Sequence, residues 1–326
     1  MGVVRWGILS TADIGMRKVT PAIQRASNAE VVAIASRDAD RARSAADRLG
    51  IPASHGSYEE LLADESVDAV YIPLPNDQHA EWTMRAAEAG KHILCEKPLA
   101  MTAAQAEQMV AACQSAGVRL QEAFMYRHHP SWVAVVDLVR QGRVGDLRAV
   151  QTFFSYFNDD PTDIRNMPQH GGGAVMDIGC YPISISRLLF DAEPTTVSAA
   201  VARDPELGID TLTSAVLEFP GGGQATFTVG IRCEPFQRVH VVGSRGRIEV
   251  EIPVNIPPQT ETRLFLTAGG DPPVAPSTRI LTFPPANQYT IQAELFGQAI
   301  LEDAPVPVAP SDAVANMRVI EAVLAS

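Results

Sequence analysis

The stretch Val3-Val-Arg-Trp-Gly-Ile-Leu-Ser-Thr-Ala-Asp-Ile-Gly15 decides how the first part of the protein folds. From Val3 to Leu9 it is apolar except for Arg5, which predicts a buried strand. A turn of small residues follows, and a helix is predicted to continue to about Ala26. A strand, a tight turn and a helix N-terminus in this order surround a dinucleotide pyrophosphate with backbone amides and the positive end of the helix dipole. This stretch therefore predicts a nucleotide-binding turn.

The turn departs from the usual G-x-G-x-x-G motif, because it reads Ser10-x-Ala12-x-x-Gly15. Two of the three glycines are replaced, but small residues still allow close approach of the backbone to a ligand. The hydroxyl groups of Ser10 and Thr11 can also donate to phosphate oxygens. The predicted cofactor contacts in this turn are Ser10, Thr11, Ala12, Ile14 and Gly15.

A second predicted strand, Glu30–Ala35, ends about 20 residues after the turn, where NAD-binding folds place an acidic residue against the ribose hydroxyls. This chain has Ser36-Arg37 there instead. Arginine presents a planar set of donors that matches a phosphate group. The pair therefore favours NADP as the cofactor over NAD. The alternative is that Ser36-Arg37 is a polar cap for a helix over Asp40–Leu49, with Arg37 in solvent.

Strands and helices continue to alternate up to residue 122. The predicted elements are helix Tyr58–Ala63, strand Val67–Ile72, helix Asp77–Ala89, strand His92–Cys95, helix Thr102–Ala116 and strand Arg119–Glu122. Repeated strand–helix units of this length indicate a doubly wound parallel sheet. Residues 1–122 are therefore predicted to form an α/β Rossmann domain that binds NADP.

The predicted strand His92–Cys95 ends in Glu96-Lys97-Pro98. Ligands of parallel α/β sheets bind beyond the carboxyl ends of the strands. Pro98 stiffens the turn, so Lys97 is predicted to be a cation held in place at the site. The alternative is an ordinary surface turn between a strand and a helix.

A further polar segment, Pro73–His79, follows the strand Val67–Ile72 at the same edge of the sheet. Asn76 suits the N-cap position of the next helix. His79, in the first turn of that helix, can instead hydrogen-bond across the cofactor cleft. The predicted cofactor contacts at this edge are Leu74, Asn76, His79, Glu96 and Lys97.

The pattern changes after Ala123. A helix is predicted over Ser131–Gln141, a long strand over Leu147–Phe157 and a loop over Asn158–Gly173. Further strands with period-two alternation are predicted at Thr195–Arg203, Thr211–Glu218, Gln224–Ile231, Arg238–Val242, Arg247–Glu251 and Arg263–Thr267. Pro-rich loops are predicted at Pro253–Gln259 and Asp271–Ser277, and closing helices at Gln288–Leu301 and Ser311–Leu324. Residues 123–326 are therefore predicted to form an α+β domain with an antiparallel or mixed sheet.

The second cluster of candidate residues is Gly171-Gly172-Gly173, followed by Asp177 and Tyr181. Three glycines permit a sharp turn and close approach to a ligand. Asp177 and Tyr181 are four residues apart, so on the helix predicted here they share one face. The alternatives are that Asp177 stabilises the helix N-terminus and that Tyr181 is a packing residue.

The Glu96-Lys97-Pro98 turn, the NADP-type Rossmann half and the segment G-G-G-A-x-M-D-I-G-C-Y resemble the Gfo/Idh/MocA oxidoreductases over the whole chain. Within that family the chain is most similar to the branch of glucose–fructose oxidoreductase, dimeric dihydrodiol dehydrogenase and NADP-dependent D-xylose (aldose) dehydrogenases. Inositol dehydrogenases have histidine where this chain has Tyr181, so the tyrosine favours that branch. The run Phe124-Met-Tyr-Arg127 also resembles this branch.

The resemblance implies a second domain with a large, mostly antiparallel open sheet whose face often buries a dimer contact. It therefore implies a homodimer or homotetramer formed through that sheet. It implies further that the nicotinamide end of the cofactor meets Asp177 and Tyr181 at the domain junction. Arg165 matches a position that often contacts nicotinamide or substrate. Weaker substrate contacts are expected from Tyr126 and Arg127.

The resemblance also implies hydride transfer between the nicotinamide and a sugar of the aldose 1-dehydrogenase type, or a related polyol or diol. Tyr181 is the candidate base, because a lysine cation close by favours the phenolate. Lys97 would supply that charge, and Asp177 would orient Lys97 or accept from a sugar hydroxyl. Lys97 itself is the competing proton acceptor. The alternatives are a reductase of keto-sugars or dicarbonyls, a sugar–sugar oxidoreductase with tightly held NADP, and a non-catalytic NADP-binding sensor.

The composition of the chain limits the classes of molecule that it is expected to bind. The formal net charge of −12 and the isoelectric point near 5.0 argue against nucleic acid or an anionic membrane as a partner. No apolar run approaches the ~20 residues of a membrane helix, and no basic-then-apolar leader is seen. We therefore expect a cytoplasmic protein with a small-molecule substrate. His128 and His129 lack an acid-rich ligand set, so no metal site is predicted.

Overall fold

The structure is a computed structural model that describes residues 2–269 and 277–326. Their internal contacts divide them into two compact units. The first unit consists of residues 2–125 and 287–317, and the second of the described part of residues 126–286 together with 318–326. The first contains a six-stranded sheet and the second an eight-stranded sheet.

The sheet of the first unit is parallel throughout. Its strands are β1 (Val4–Leu9), β2 (Ala29–Ala35), β3 (Ala53–His55), β4 (Ala69–Ile72), β5 (His92–Cys95) and β6 (Leu120–Glu122). They lie in the order β3-β2-β1-β4-β5-β6. All four residues of β4 are buried, as a strand in a parallel sheet covered by helices must be. The predicted doubly wound sheet is confirmed.

Helices connect these strands. They are α1 (Thr20–Ile23), α2 (Ala39–Leu49), α3 (Tyr58–Ala63), α4 (Asn76–Glu88) and α5 (Ala103–Ala116). Side chains of Asp38, Ser57 and Thr102 cap the N-termini of α2, α3 and α5, which satisfies amides that have no partner within the helix. The strand order reverses between β1 and β4, the place where open α/β sheets bind dinucleotides.

Two details of the first unit differ from prediction. The helix after the nucleotide-binding turn begins as a five-residue π-helical turn, Gly15–Val19, and ends at Ile23 instead of Ala26. The short strand β3 was not predicted, because it is a three-residue edge strand without alternation in burial strong enough to read from sequence. Its pairing with β2 forms it.

The second unit is built on a large, mostly antiparallel sheet. Its strands are β7 (Leu147–Phe157), β8 (Thr196–Arg203), β9 (Asp210–Glu218), β10 (Gln224–Gly230), β11 (Arg232–Gly243), β12 (Gly246–Val250), β13 (Thr262–Ala268) and β14 (Thr278–Phe283). They lie in the order β14-β13-β12-β11-β7-β10-β9-β8. One pair, β7 and β10, is parallel, and the other pairs are antiparallel. The predicted α+β architecture is confirmed.

The predicted strands cover less of this sheet than the structure shows. β11 begins at Arg232, six residues before its predicted start, and β14 was not predicted. Pro235 weakens the strand signal in the first half of β11, and the exposed residues of β14 do not alternate clearly. Pairing with β7 and β13 decides both cases. The loop predicted at Asp271–Ser277 lies, except for Ser277, outside the described residues.

The remaining helices are α6 (Pro130–Arg140), α7 (Cys180–Phe190), α8 (Gln288–Leu301) and α9 (Pro310–Leu324). α8 belongs to the first unit, where the Phe296 ring packs 5.6 Å from the Trp6 ring and the Thr290 hydroxyl donates to the Ala22 carbonyl. The predicted division into residues 1–122 and 123–326 had placed α8 in the second domain. Sequence order alone does not reveal this return of the chain. Within residues 2–269 and 277–326, no helix is long and apolar enough to cross a membrane.

Candidate active site

The nucleotide-binding turn follows β1 and keeps its shape without two of the usual glycines. Ser10 has a φ of +143°, a region that L-residues rarely adopt. Its hydroxyl oxygen accepts a hydrogen bond of 3.0 Å from the Ala12 amide. The side chain of Ser10 therefore stabilises a turn in which the backbone of Ser10 is strained. Thr11 and Ala12 are half-buried, and Ile14 packs against the core of the unit.

Gly15 retains the role of the last glycine in the motif. A Cβ placed on Gly15 would lie 3.4 Å from Pro73 and 3.7 Å from the Tyr71 ring. The start of the helix therefore lies directly against β4 and the residue that follows it. Close packing of the first helix on the sheet is what this glycine provides in dinucleotide-binding folds.

A polar group lies beyond the carboxyl end of β2. The Ser36 hydroxyl accepts from the Asp38 amide at 3.3 Å, and Arg37 is exposed. Burial raises the pKa of Tyr58, while the charge and the hydrogen bond of the Arg37 guanidinium act to lower it, as does the charge of Arg41. The two guanidinium groups and the phenol are therefore neighbours. Ser36 and Arg37 were predicted from sequence, whereas Tyr58 and Arg41 were not. Tyr58 follows β3, which pairs with β2, and Arg41 lies in the first turn of α2.

The Glu96-Lys97-Pro98 turn follows β5 and is tied to its surroundings on both sides. The peptide bond between Lys97 and Pro98 is cis, and Glu96 and Lys97 are half-buried. The Glu96 carboxylate accepts a 2.6 Å hydrogen bond from the Tyr71 phenol of β4. Burial, followed by the charge of Glu96, raises the pKa of Tyr71 well above its usual value, so Tyr71 stays protonated and donates.

His79 is a structural link between this turn and the preceding loop. Its ring is fully buried, with Nδ1 2.9 Å from the Pro98 carbonyl and Nε2 2.8 Å from the Leu74 carbonyl. Burial lowers the pKa of His79. The prediction that His79 hydrogen-bonds across the cofactor cleft is therefore corrected, because both ring nitrogens face the chain's own backbone.

Asn76 also differs from its predicted position. The N-cap of α4 is Pro75, whose ψ of 151° is extended, and Asn76 is the first helical residue. A proline at the end of an extended segment sets the start of the helix one residue earlier than expected. The backbone carbonyl of Leu74, also a predicted cofactor contact, faces His79, and its side chain is 8% exposed.

In the second unit, Asp177 lies in a π-helical turn, Val175–Gly179, at the start of α7. Its carboxylate accepts a 2.6 Å hydrogen bond from the Tyr156 phenol of β7. The Nε atom of Arg165 lies 3.4 Å from the same carboxylate oxygen. Arg165, predicted as a cofactor contact, is thus paired with Asp177 within this unit, and Tyr156 is a residue that sequence reasoning missed.

Two of the three glycines before Asp177, Gly172 and Gly173, serve the packing of the chain itself. The Gly172 amide donates to the Met167 carbonyl at 3.0 Å, and the Gly173 amide to the Arg165 carbonyl at 2.9 Å. A Cβ on Gly172 would lie 2.7 Å from the Arg165 oxygen, and one on Gly173, whose φ is +118°, would overlap the Asp210 carboxylate. The expectation that these glycines allow a ligand to approach is therefore corrected.

Asp210 holds the same segment from the start of β9, and sequence reasoning missed it. The residue is 2% exposed, and its Oδ2 atom accepts from the Val175 amide at 2.8 Å and from the Thr213 hydroxyl at 3.1 Å. Burial raises the pKa of Asp210. The sequence signal that could have identified Asp210 is an acidic residue at the first position of a strand, directly after a glycine and an isoleucine.

Tyr181 lies in the first turn of α7 and is 5% exposed. Its ring centroid is 6.0 Å from that of Tyr126, edge to face, and 6.0 Å from that of Phe154. Tyr126 is fully buried, and its hydroxyl is 2.8 Å from the Ser184 hydroxyl. The expected substrate contact from Tyr126 is therefore corrected to a packing contact with Tyr181. Arg127 donates to the same Ser184 oxygen at 2.7 Å.

Metal ions have no evident place in the part of the chain that the structure describes. No group of three or more His, Cys, Asp or Glu side chains there is arranged to hold one. Burial lowers the pKa of His128 and of His129 to about 4.

Comparison with known proteins places the chain in a family. A family model described as an oxidoreductase family with an NAD-binding Rossmann fold matches residues 4–124. A model of the GFO/IDH/MocA C-terminal domain matches residues 132–249.

Individual relatives match over nearly the whole chain. D-xylose 1-dehydrogenase (NADP(+)) 2 of Haloferax volcanii is 41% identical over 98% of this chain and 96% of its own length. A dTDP-3,4-didehydro-2,6-dideoxy-alpha-D-glucose 3-reductase of Actinomadura kijaniata is 35% identical over 91% of this chain and 88% of its own. The crystal structure of a 3-ketoreductase from the same organism, in complex with NADP and TDP-benzene, superposes with a TM-score of 0.91 at 31% identity. That match covers 99% of this chain and 98% of the other.

The nucleotide-binding turn at the strand-order reversal and the Glu96-Lys97-Pro98 turn agree with these matches, as does the large open sheet behind Asp177 and Tyr181. The predicted resemblance is confirmed, and with it the assignment as an enzyme that uses a nicotinamide dinucleotide. The chain belongs to the Gfo/Idh/MocA family of oxidoreductases.

Proposed function

We propose that the protein is an NADP-dependent sugar dehydrogenase that oxidises an aldose such as D-xylose at its anomeric carbon. The observation that carries the proposal is the 41% identity to the D-xylose 1-dehydrogenase of Haloferax volcanii, which extends over nearly the full length of both chains. The presence of Lys97, Asp177 and Tyr181 supports a catalytic role over that of a sensor. We assign its site of action to the cytoplasm.

The residues beyond β2 fit NADP. Arg37 and Arg41 offer two positive charges to a 2′-phosphate, and the Ser36 hydroxyl can donate a further hydrogen bond. Tyr58 supports the Arg37 guanidinium with a neutral oxygen, which leaves the positive charge available for the phosphate. An acidic residue in place of Ser36 or Arg37 would instead have favoured the ribose hydroxyl of NAD.

The proposed chemistry uses NADP as the acceptor of the hydride that leaves the sugar. The chain's residues must then remove the proton of the anomeric hydroxyl. Tyr181 is proposed as the base and Lys97 as the cation that favours its phenolate. Asp177 is proposed to accept a hydrogen bond from a neighbouring sugar hydroxyl. Lys97 as the direct proton acceptor remains the competing assignment.

The alternative function is reduction of a keto-sugar, which is the same chemistry in the opposite direction. It is favoured by the similarity to the 3-ketoreductase structure and to the dTDP-keto-sugar reductase. The loop next to Asp177 argues for a neutral sugar instead. It contains Asp159, Asp160 and Asp163 against the single cation Arg165 between residues 158 and 173, and this excess of negative charge disfavours a phosphorylated or nucleotide-linked substrate.

We also propose that a second copy of the chain covers the outer face of the large sheet. Phe153 and Phe236 pack edge to face on this face and remain 37% and 47% exposed. Val216 and Leu212 add exposed apolar surface beside a concavity of about 650 Å³. Exposed apolar side chains on one sheet face suit a two-fold contact in which the same patch serves both subunits. Light scattering on Phe153→Asp/Phe236→Asp should show monomers if this assignment is right.

The direct test is an absorbance assay at the reduced-nicotinamide band. D-xylose, D-glucose and D-arabinose are offered with NADP+ and separately with NAD+. We expect oxidation of at least one aldose, with a strong preference for NADP+. Failure with all sugars, together with NADPH oxidation in the presence of a keto-sugar, would establish the alternative function instead.

A further inference from the structure

A group of four polar side chains in the second unit is only partly used by the proposed chemistry. Tyr156, Asp163, Arg165 and Asp177 come from β7, from the loop before the glycines and from the start of α7. Only Asp177 has a proposed role with the substrate. The other three contact Asp177 directly or through one another.

Tyr156 is a close partner of Asp177. It points to the same side of β7 as the buried residues Thr152 and Phe154. Its hydroxyl lies 2.6 Å from Oδ2 of Asp177, a length typical of a hydrogen bond from a hydroxyl to a charged oxygen. Burial, followed by the charge of Asp177, raises the pKa of Tyr156 far above its usual value. The phenol therefore remains a donor at any working pH.

Arg165 fixes the same carboxylate from the loop side. Its Nε lies 3.4 Å from Oδ2 of Asp177, and its NH1 atom lies 3.2 Å from Asp163. Its carbonyl accepts from the Gly173 amide at 2.9 Å, and the Gly173 carbonyl accepts from the Asp177 amide at 3.1 Å. The side chain and the backbone of Arg165 thus both set the position of Asp177.

The loop that carries Arg165 is itself anchored. Asn166 is 1% exposed, and its amide group donates to the carbonyl of Asp160 at 2.8 Å and to the side chain of Asn158 at 3.1 Å. Its oxygen accepts from Arg232 of β11 at 3.1 Å. The Arg165 guanidinium therefore approaches Asp177 from a fixed backbone. The conformational entropy that this long side chain loses on pairing is smaller as a result.

We infer that Tyr156 is a positioning residue which, together with Arg165, holds the Asp177 carboxylate as a fixed acceptor for a substrate hydroxyl. The inference rests on the proposed function, because it needs Asp177 to contact the sugar. It reassigns Arg165, which acts through Asp177 and Asp163 and not through the cofactor. An acceptor already held in one orientation favours the reacting geometry of the sugar, so the effect belongs to turnover and not to nucleotide binding.

The test compares Tyr156→Phe with wild-type enzyme for oxidation of D-xylose by NADP+. We expect kcat to fall about tenfold, because one of two groups that orient the acceptor is lost. The dissociation constant for NADP+ should stay within about twofold. Thr152→Val is the matched control, since it removes a buried hydroxyl from the same side of the same strand, and it should turn over at the wild-type rate.

A double-mutant comparison separates positioning from a general structural role. If Tyr156 acts through Asp177, the variant Tyr156→Phe/Asp177→Asn should be no slower than Asp177→Asn alone. Two outcomes would overturn the inference and leave the proposed function standing. In the first, the losses of kcat in the two single variants multiply in the double variant. In the second, Tyr156→Phe turns over at the wild-type rate while Asp177→Asn is slow. Wild-type turnover by Asp177→Asn would remove the proposed role of Asp177 and the inference with it.

One measurement does not depend on the substrate. In urea unfolding, the same pair of substitutions should show coupling of about tenfold in the unfolding equilibrium constant, as expected for a hydrogen bond to a charged group. If no sugar is oxidised, the proposed function fails, and additive unfolding effects would then overturn the Tyr156–Asp177 contact as well.

Discussion

Two turns in this protein have the same construction but opposite glycine content. Each leads into a five-residue π-helical turn and then an α-helix, after Ser10–Gly15 in the first unit and after Gly171–Gly173 in the second. The first has serine and alanine where glycine is usual, and the other has three glycines in a row. On sequence alone, the glycine-rich turn is the better candidate for close approach of a ligand to the backbone.

The structure assigns two glycines of the Gly171–Gly173 turn to internal packing. Gly172 lies against the backbone of Arg165 and Met167, and Gly173 lies against the carboxylate of Asp210. In the first turn, Ser10 adopts the unusual φ itself and its own hydroxyl stabilises the turn. The comparison teaches that a glycine indicates a place where another group lies close to the backbone. That group can belong to the protein itself and need not be a ligand.

The largest effect is expected at Gly173. Gly173→Ala places a Cβ against the Asp210 carboxylate and adds a methyl group at a φ of +118°. We expect the free energy of unfolding to fall by about 3 kcal/mol or more, since overlap and backbone strain act together. Chemical unfolding of the purified variant measures it.

Gly208→Ala is the matched control for this change. Gly208 has a φ of +73° but nothing within 4 Å of the added methyl group. It should lose only about 1 kcal/mol, the contribution of the backbone conformation alone. Equal losses in the two variants would show that Asp210 does not require glycine at position 173.

The next largest effect concerns nucleotide binding by the first unit. Arg37→Ala should weaken binding of NADP+ by about thirtyfold, because a guanidinium–phosphate contact is lost, and leave NAD+ nearly unchanged. Fluorescence titration with both nucleotides gives the ratio. An unchanged ratio would mean that the group beyond β2 does not recognise the 2′-phosphate. Arg25→Ala is a suitable control, since this exposed arginine follows α1.

Much of the fold was predictable because burial repeats along the chain. Strands β5 and β7 and helices α3 and α8 were predicted with the bounds that the structure shows. Apolar residues are nearly continuous in β5, alternate with polar residues along much of β7 and recur at helical spacing in the two helices. The missed strands β3 and β14 lie at sheet edges, and each is defined by its pairing with one other strand, which its own residues do not reveal.

A smaller effect depends on pH and concerns Asp210. Its pKa is higher in the folded protein than in the unfolded chain, because burial disfavours the charged form. Its contribution to stability is therefore complete below pH about 3.9 and is lost as the pH rises through the raised value. The difference in unfolding free energy, wild type minus Asp210→Asn, should therefore fall between pH 4 and pH 7.

Urea unfolding of both proteins at pH 4, 5, 6 and 7 measures this difference. Arg203 is the charged neighbour that acts against the shift, so Arg203→Ala should enlarge the pH dependence. A difference that grows with pH would contradict the assignment of Asp210 as a buried acid beside Gly173.

The smallest effect is expected in the first turn. Ser10→Ala keeps the φ of +143° and loses the hydrogen bond to the Ala12 amide, which stabilises by about 1 kcal/mol. Ser10→Gly also loses the bond but relieves backbone strain of about the same size or more. Melting temperatures should therefore rank Ser10→Gly equal to or above wild type, and Ser10→Ala below both. An alanine variant as stable as the glycine variant would show that Ser10 is not strained.

The candidate site residues were predicted where one short segment carries its own signal. Lys97 follows a buried strand directly, and Asp177 and Tyr181 follow a glycine turn. Tyr156, Asp210 and Tyr71 were missed because each acts across strands on a residue more than 20 positions away. His79 and Tyr126 were predicted as ligand contacts but are fully buried, since a polar side chain in sequence does not reveal which group satisfies it.

The central claim is that Lys97 and Tyr181 perform the proton chemistry of a sugar dehydrogenase. It is tested most directly by turnover of D-xylose with NADP+ in Lys97→Ala and Tyr181→Phe, each checked for NADP+ binding by fluorescence. The account predicts that kcat falls by about a hundredfold or more in both variants, while NADP+ still binds. Wild-type turnover in both variants would contradict it.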